Sequence, residues 1–82
     1  MYTAKLEKVF EDTKVELLAA MKNHPKFYTP HDGWAILREE VDELWDEVKK
    51  KPSKRSKNKL RKEAVQVAAM AIRFVHDICG KD

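Results

Sequence analysis

The stretch from Glu63 to Cys79, EAVQVAAMAIRFVHDIC, decides the fold of this chain. At about 100° per residue its apolar side chains cover one broad arc of a helix. Only a narrow strip stays polar, and it consists of Gln66, Arg73, His76 and Asp77. One partner helix cannot cover so wide an apolar arc. We therefore expect this helix to be central and to contact several neighbours.

Two more helices are predicted before this stretch. His24-Pro25 ends the first, because the residue before a proline avoids the helical region. Thr29 and Pro30 suit the N-cap and first position of the second helix, and Pro52-Ser53 breaks it. Gly80 fits a C′ glycine that ends the third helix. No alternating apolar run or hairpin turn indicates a strand. The sequence predicts an all-α fold, a three-helix protomer in one domain over residues 1–82, with helices at about 3–23, 30–50 and 57–79.

The small size of the chain favours assembly. An 82-residue chain builds a marginal core, and Cys79 has no second cysteine with which to form a disulfide. Some neighbours of the third helix should belong to another protomer, so we expect a homodimer or homotetramer forming an oligomeric helical bundle. Trp34 and Trp45 flank the apolar stripe of the second helix and are expected in the core or in an interface.

Carboxylates are concentrated on the second helix, in the run Glu39-Glu40-Val41-Asp42-Glu43. Glu40 and Glu43 share a face that is separate from the apolar stripe, and Ile36 on that face suggests that the acids line a cleft. Like charges three or four residues apart cost about 0.2–0.5 kcal/mol per pair. A bound cation would remove this cost. Glu63 lies at the margin of the apolar third helix, and together these acids form the oxygen-rich site that Mg²⁺ prefers.

Charge is segregated along the chain. Residues 39–47 carry six acids and no base, and residues 49–62 carry nine bases and no acid. The basic segment would attract anions. A nucleic-acid-binding protein that uses residues 49–62 is one alternative, although interleaved aromatic residues and a helix-turn-helix pattern are lacking. Neither a signal peptide nor a membrane-spanning run is present, so we expect a cytoplasmic protein without a membrane partner.

Two runs of the sequence resemble a known family. The run from His31 to Val48, HDGWAILREEVDELWDEV, looks like the first signature helix of the MazG-like all-α nucleoside triphosphate pyrophosphohydrolases. The run from Arg61 to Phe74, RKEAVQVAAMAIRF, resembles their second signature helix. The family pattern is two adjacent glutamates, a third acid three residues later, a gap, and then Glu-x-x-Asp. The resemblance implies Mg²⁺-dependent hydrolysis of a nucleoside triphosphate to the monophosphate and pyrophosphate, with Mn²⁺ as a possible substitute.

Carried over residue by residue, the resemblance implies a metal site and a substrate site. Gln66 stands where the family has its last aspartate. Its amide oxygen can coordinate Mg²⁺ but adds no negative charge. The implied metal ligands are Glu39, Glu40, Glu43, Glu63 and Gln66, with Glu39 or Glu40 as the base. The implied substrate-binding residues are Lys54, Lys57, Arg61, Lys62 and, as a stacking platform, Trp34. Because of Gln66, a non-catalytic oligomeric helical module with a degenerate metal site is a second alternative.

Overall fold

The computed structural model describes residues 3–80, and these form an all-α protein with three main helices. Helix α1 spans Ala4–Asn23, α2 spans Pro30–Val48 and α3 spans Lys57–Phe74. A 3-10 turn, Pro52–Lys54, lies between α2 and α3, and a π-helical segment, Val75–Cys79, continues α3. Residues 3–80 contain no strand.

Helix α3 lies between the other two helices. It packs against α1 on one side and α2 on the other, and α1 and α2 hardly touch each other. Asp12 pairs with Arg61 and Ala20 with Arg73, so α1 and α3 run parallel. The start of α2 meets the end of α3, so these two helices are antiparallel. Within the chain, the expectation of a central third helix is confirmed.

The three helices form an open arrangement, because α1 and α2 each pack on α3 and hardly on each other. The molecule measures 47 × 30 × 23 Å, and its radius of gyration is 14.0 Å. A compact chain of this length would have a radius of gyration of about 12 Å. Helical phase places the acids of α2 on one side of its contact with α3, and exposed apolar side chains of the two helices on the other side.

Side chains at the starts of the three helices cap their free backbone N–H groups. The Thr29 hydroxyl accepts a hydrogen bond from the backbone N–H of Asp32, whose carboxylate accepts one from the backbone of Thr29, which completes a capping box. The hydroxyls of Thr3 and Ser56 accept hydrogen bonds from the backbone N–H groups of Leu6 and Lys59 at the starts of α1 and α3. His24 adopts an extended conformation before Pro25, as expected, and ends α1.

The buried core is small. Its apolar members are Phe27, Ala69 and Met70, with Val65 buried nearby, and no large side chain among the described residues is completely buried. Gly33 sits where α2 crosses the end of α3. A Cβ there would lie 2.8 Å from a ring carbon of Phe74, so only glycine permits this approach.

Two predicted helix ends differ from the structure. Helix α2 ends at Val48 instead of about residue 50, and the Arg55 side chain donates a hydrogen bond to the carbonyl of Val48. Gly80 follows the last helical segment, but its φ of −82° is not left-handed. Glycine is needed there for space, because a Cβ would lie 2.6 Å from the carbonyl oxygen of His76. Within residues 3–80, no helix is both long and apolar enough to cross a bilayer.

Candidate metal centre

Three of the predicted acids converge where α2 crosses α3. Glu40 and Glu43 come from successive turns of α2, and Glu63 comes from the first half of α3. One carboxylate oxygen from each lies within 4.8 Å of the other two. Glu47 lies on the same face of α2, but its carboxylate pairs with Lys50 at 2.9 Å. Glu40, Glu43 and Glu63 form what we call the acidic cluster.

Electrostatics in the acidic cluster disfavour the charged carboxylates. Burial raises the pKa of Glu40 to about 7 from its usual 4.5, and the negative charge of Glu43 adds to the rise. Burial and then the charge of Glu43 also raise the pKa of Glu63, which Lys62 partly opposes. A cation between these groups would favour their ionised forms, so the cluster is better suited to a bound cation than to water alone.

Gln66 bridges two members of the acidic cluster. In the amide orientation that satisfies both of its ends, its nitrogen donates hydrogen bonds to Glu40 and to Glu63, each at 3.2 Å. An aspartate at this position would add a fourth negative charge and could donate nothing when ionised. Gln66 therefore holds two of the carboxylates in place when no cation is bound.

The acidic cluster fits the requirements of Mg²⁺. This ion prefers carboxylate oxygens in octahedral geometry at about 2.0–2.1 Å, so neighbouring ligands lie about 3 Å apart and opposite ligands about 4 Å apart. The three oxygens lie within 4.8 Å of one another, so their side chains would move together by up to about 2 Å to hold one ion. Glu40, Glu43 and Glu63 would hold the ion, and the amide oxygen of Gln66 could join them after its side chain turns.

A cleft of about 560 Å³ opens beside the acidic cluster, between α1 and α2 and over α3. Its size is in the range of small-molecule sites. Its lining joins an acidic end, with Glu39 and Glu40, to an apolar part that includes Phe27 and Met70. Ile36 lines it as well, in agreement with the expectation that the acidic face of α2 borders a cleft.

A buried ion pair fixes the far wall of the cleft. Arg73 and Asp77 are 2% and 5% exposed, and the Arg73 Nε donates to Asp77 at 3.1 Å. The remaining Arg73 nitrogens donate to the carbonyls of Ala20, His24 and Pro25, at the end of α1 and the start of the following loop. This network ties the loop to α3.

Asp77 completes the network from its other side. Its carboxylate accepts hydrogen bonds from the backbone N–H of Phe27 at 2.9 Å and from Arg73, and it contacts Nδ1 of His76 at 2.8 Å. Burial alone would raise the pKa of Asp77, but the hydrogen bonds from His76, Phe27 and Arg73 together hold it below its usual value. The Phe27 ring, which lines the cleft, is thereby held 5.0 Å from the Arg73 guanidinium.

The predicted site residues are only partly brought together. Glu39 lines the cleft but lies outside the acidic cluster. Arg61 pairs with Asp12 of α1 at 2.9 Å, and Lys62 lies near Glu63. Lys54 lies in the 3-10 turn and Lys57 is the first residue of α3. Both are exposed, and neither lines the cleft.

Trp34 is half exposed and lies on the opposite side of α2 from the acids. The lysine that lines the cleft is Lys26, which sequence reasoning missed. Its position depends on the loop geometry that Arg73 imposes, and the sequence pattern carries no signal for it.

Comparisons with known proteins found no matching family model, no similar curated protein and no similar solved structure.

Proposed function

We propose that this chain is a divalent-metal-dependent nucleoside triphosphate pyrophosphohydrolase, which converts a nucleoside triphosphate and water to the monophosphate and pyrophosphate. The observation that carries the proposal is the convergence of Glu40, Glu43 and Glu63, of which Glu40 also lines a ligand-sized cleft. Glu43 of α2 and Glu63 of α3 are separated by 19 residues of sequence, yet their carboxylates lie close together.

The residues divide into three tasks in this proposal. Glu40, Glu43 and Glu63 hold Mg²⁺, which when bound would neutralise phosphate charge and acidify a water molecule. Glu39 lines the cleft outside the acidic cluster, so its carboxylate is available to accept the proton of the attacking water. Lys62 provides positive charge near Glu63.

The cleft suits the remainder of the substrate. Its apolar part, between Phe27 and Met70, would accept the base and sugar. The triphosphate would then extend towards the acidic end, and Lys26 would border the nucleoside. Because the Arg73–Asp77 network fixes Phe27, the apolar wall is formed before substrate binds.

The test is pyrophosphate release from the common ribo- and deoxyribonucleoside triphosphates with Mg²⁺ or Mn²⁺. We expect release by the wild type and its loss in Glu43→Gln. Glu11→Gln, an exposed neutralisation on α1, should retain activity. Gln66→Asp should increase activity by adding a charged ligand. Absence of pyrophosphate from every nucleotide, or full activity of Glu43→Gln, would contradict the proposal.

A second candidate is the non-catalytic helical module, and Gln66 is the observation that favours it. Its two hydrogen bonds let the acidic cluster persist without a metal. If this candidate is correct, Mg²⁺ and Mn²⁺ should leave the melting temperature unchanged, since only a ligand that binds the folded state stabilises it.

A further inference from the structure

The cleft has two chemically different ends. Residues 23–27 and Asp32 line what we call the loop end, and Glu40 and Gln66 line the acidic end. Gln66 and Arg73 both line the cleft from α3, so the ends are separated by about seven residues of helix, or about 10 Å. That distance is comparable with the length of a nucleoside. With the triphosphate at the metal centre, as proposed above, the base lies at the loop end.

The backbone of Lys26 is fixed at the loop end by the buried ion pair. On one side of it, the carbonyl of Pro25 accepts a hydrogen bond from Arg73 at 2.8 Å. On the other side, the backbone N–H of Phe27 donates one to Asp77 at 2.9 Å. Because both neighbours of Lys26 are tied to the same pair, its side chain starts from a fixed point on the cleft wall.

The ammonium group of Lys26 keeps its capacity to donate hydrogen bonds. Its Nζ lies 5.2 Å from the centre of the Tyr28 ring, which is a cation–π contact. An ammonium carries three N–H donors, and one ring face cannot occupy all of them. A ligand carbonyl can therefore bind Lys26 without displacing Tyr28.

The other polar groups at the loop end do not discriminate between bases. Both oxygens of Asp32 already accept hydrogen bonds from residues 28–29. The side chains of Asn23 and His24 can each donate or accept, so they suit a carbonyl or an amino group equally. The Lys26 ammonium can only donate. It therefore sets the hydrogen-bonding preference of this end.

We propose that Lys26 makes the cleft selective for nucleotides whose base is guanine, uracil or thymine. Guanine presents its O6 acceptor, and uracil and thymine their O4 acceptor, where adenine and cytosine present an amino donor. A charged donor forms a strong hydrogen bond with such an oxygen. An amino group facing Lys26 would instead leave two donors without an acceptor. This role rests on the proposed function, because it needs the triphosphate at the acidic end.

Pyrophosphate release, measured as kcat/KM for GTP and UTP against ATP and CTP with Mg²⁺, tests the selectivity. We expect the wild type to favour GTP and UTP by about tenfold. Lys26→Met should remove the preference by lowering the values for GTP and UTP, and Lys26→Arg should keep it. Lys22→Met is the matched control, because Lys22 is exposed on α1 and does not line the cleft.

Binding of the monophosphates separates this role from the proposed function, because it requires no hydrolysis. In isothermal titration calorimetry the wild type should bind GMP about tenfold more tightly than AMP, and Lys26→Met should bind the two equally. Equal kcat/KM for the four triphosphates, or a preference that persists in Lys26→Met, would overturn the role of Lys26 and leave the pyrophosphohydrolase proposal intact. If no triphosphate is hydrolysed, the proposed function fails, and equal or absent binding of GMP and AMP then overturns the selectivity as well.

Discussion

Replacing Glu40 with glutamine should stabilise the metal-free protein above neutral pH. The folded-state pKa of Glu40 is about 7, raised by burial and by Glu43, against 4.5 for an ordinary glutamate. Between pH 4.5 and about 7, the folded protein therefore holds a proton on Glu40 that the unfolded chain has released. The free energy of unfolding falls as pH rises above about 4.5, and the loss is complete above about 7.

The size of the effect follows from the rise in pKa. Each unit corresponds to about 1.36 kcal/mol, so the full rise from 4.5 to about 7 corresponds to about 3 kcal/mol. Two features reduce this figure. Glu40 keeps part of its side chain in water, and Gln66 donates a hydrogen bond that favours the charged carboxylate. We expect Glu40→Gln to gain about 1–2 kcal/mol of unfolding free energy at pH 8. At about 4–8 °C per kcal/mol for a domain of this size, the melting temperature should rise by about 4–16 °C.

Thermal unfolding followed by circular dichroism between pH 5 and pH 8, in the presence of a chelator, measures this gain. Wild type and Glu40→Gln should melt together near pH 5 and diverge as pH rises. Mg²⁺ should raise the melting temperature of the wild type and leave that of Glu40→Gln nearly unchanged. Equal melting temperatures at pH 8, or the same gain in the exposed control Glu11→Gln, would refute the electrostatic reasoning.

Three further substitutions test the scaffold around the cleft. Asp77→Asn leaves the buried Arg73 guanidinium without its charged partner and should cost about 3–5 kcal/mol in urea unfolding, and a loss below about 1 kcal/mol would contradict the assigned network. Gly33→Ala should lower the melting temperature, because overpacking against Phe74 costs about 1–3 kcal/mol and outweighs the helix-propensity gain of about 1 kcal/mol; a higher melting temperature would show that the rings move aside. Thr29→Ala should cost about 1 kcal/mol through loss of the α2 cap, whereas Thr29→Ser should cost little, and equal effects of the two would argue against the cap.

Local signals explain why the helices could be predicted. Pro25, Pro30 and Pro52 act within one or two residues, and Thr29 caps a helix that starts at the next position. The convergence of Glu40, Glu43 and Glu63 is less local, but helical phase on two elements is enough to place acids on facing sides.

Long-range contacts explain what the sequence did not reveal. Arg73 and Asp77 belong to the expected polar strip of the predicted third helix, yet they are among the most buried of the described residues. Their partners lie about 50 residues earlier in the chain, at the end of α1 and in the loop that follows. No periodic pattern records such hydrogen bonds. The position of Lys26 in the cleft depends on the same contacts, which explains why it was missed.

Mn²⁺ titration, followed by the electron paramagnetic resonance signal of the free ion, tests the metal centre most directly. The wild type should take up Mn²⁺ saturably, and Mg²⁺ should compete with it. Glu43→Gln should weaken uptake by about tenfold or more, since it removes a proposed ligand, while Glu11→Gln should bind as the wild type does. Equal uptake by Glu43→Gln and Glu11→Gln, or no uptake by the wild type, would contradict the assignment of Glu40, Glu43 and Glu63 as the metal centre.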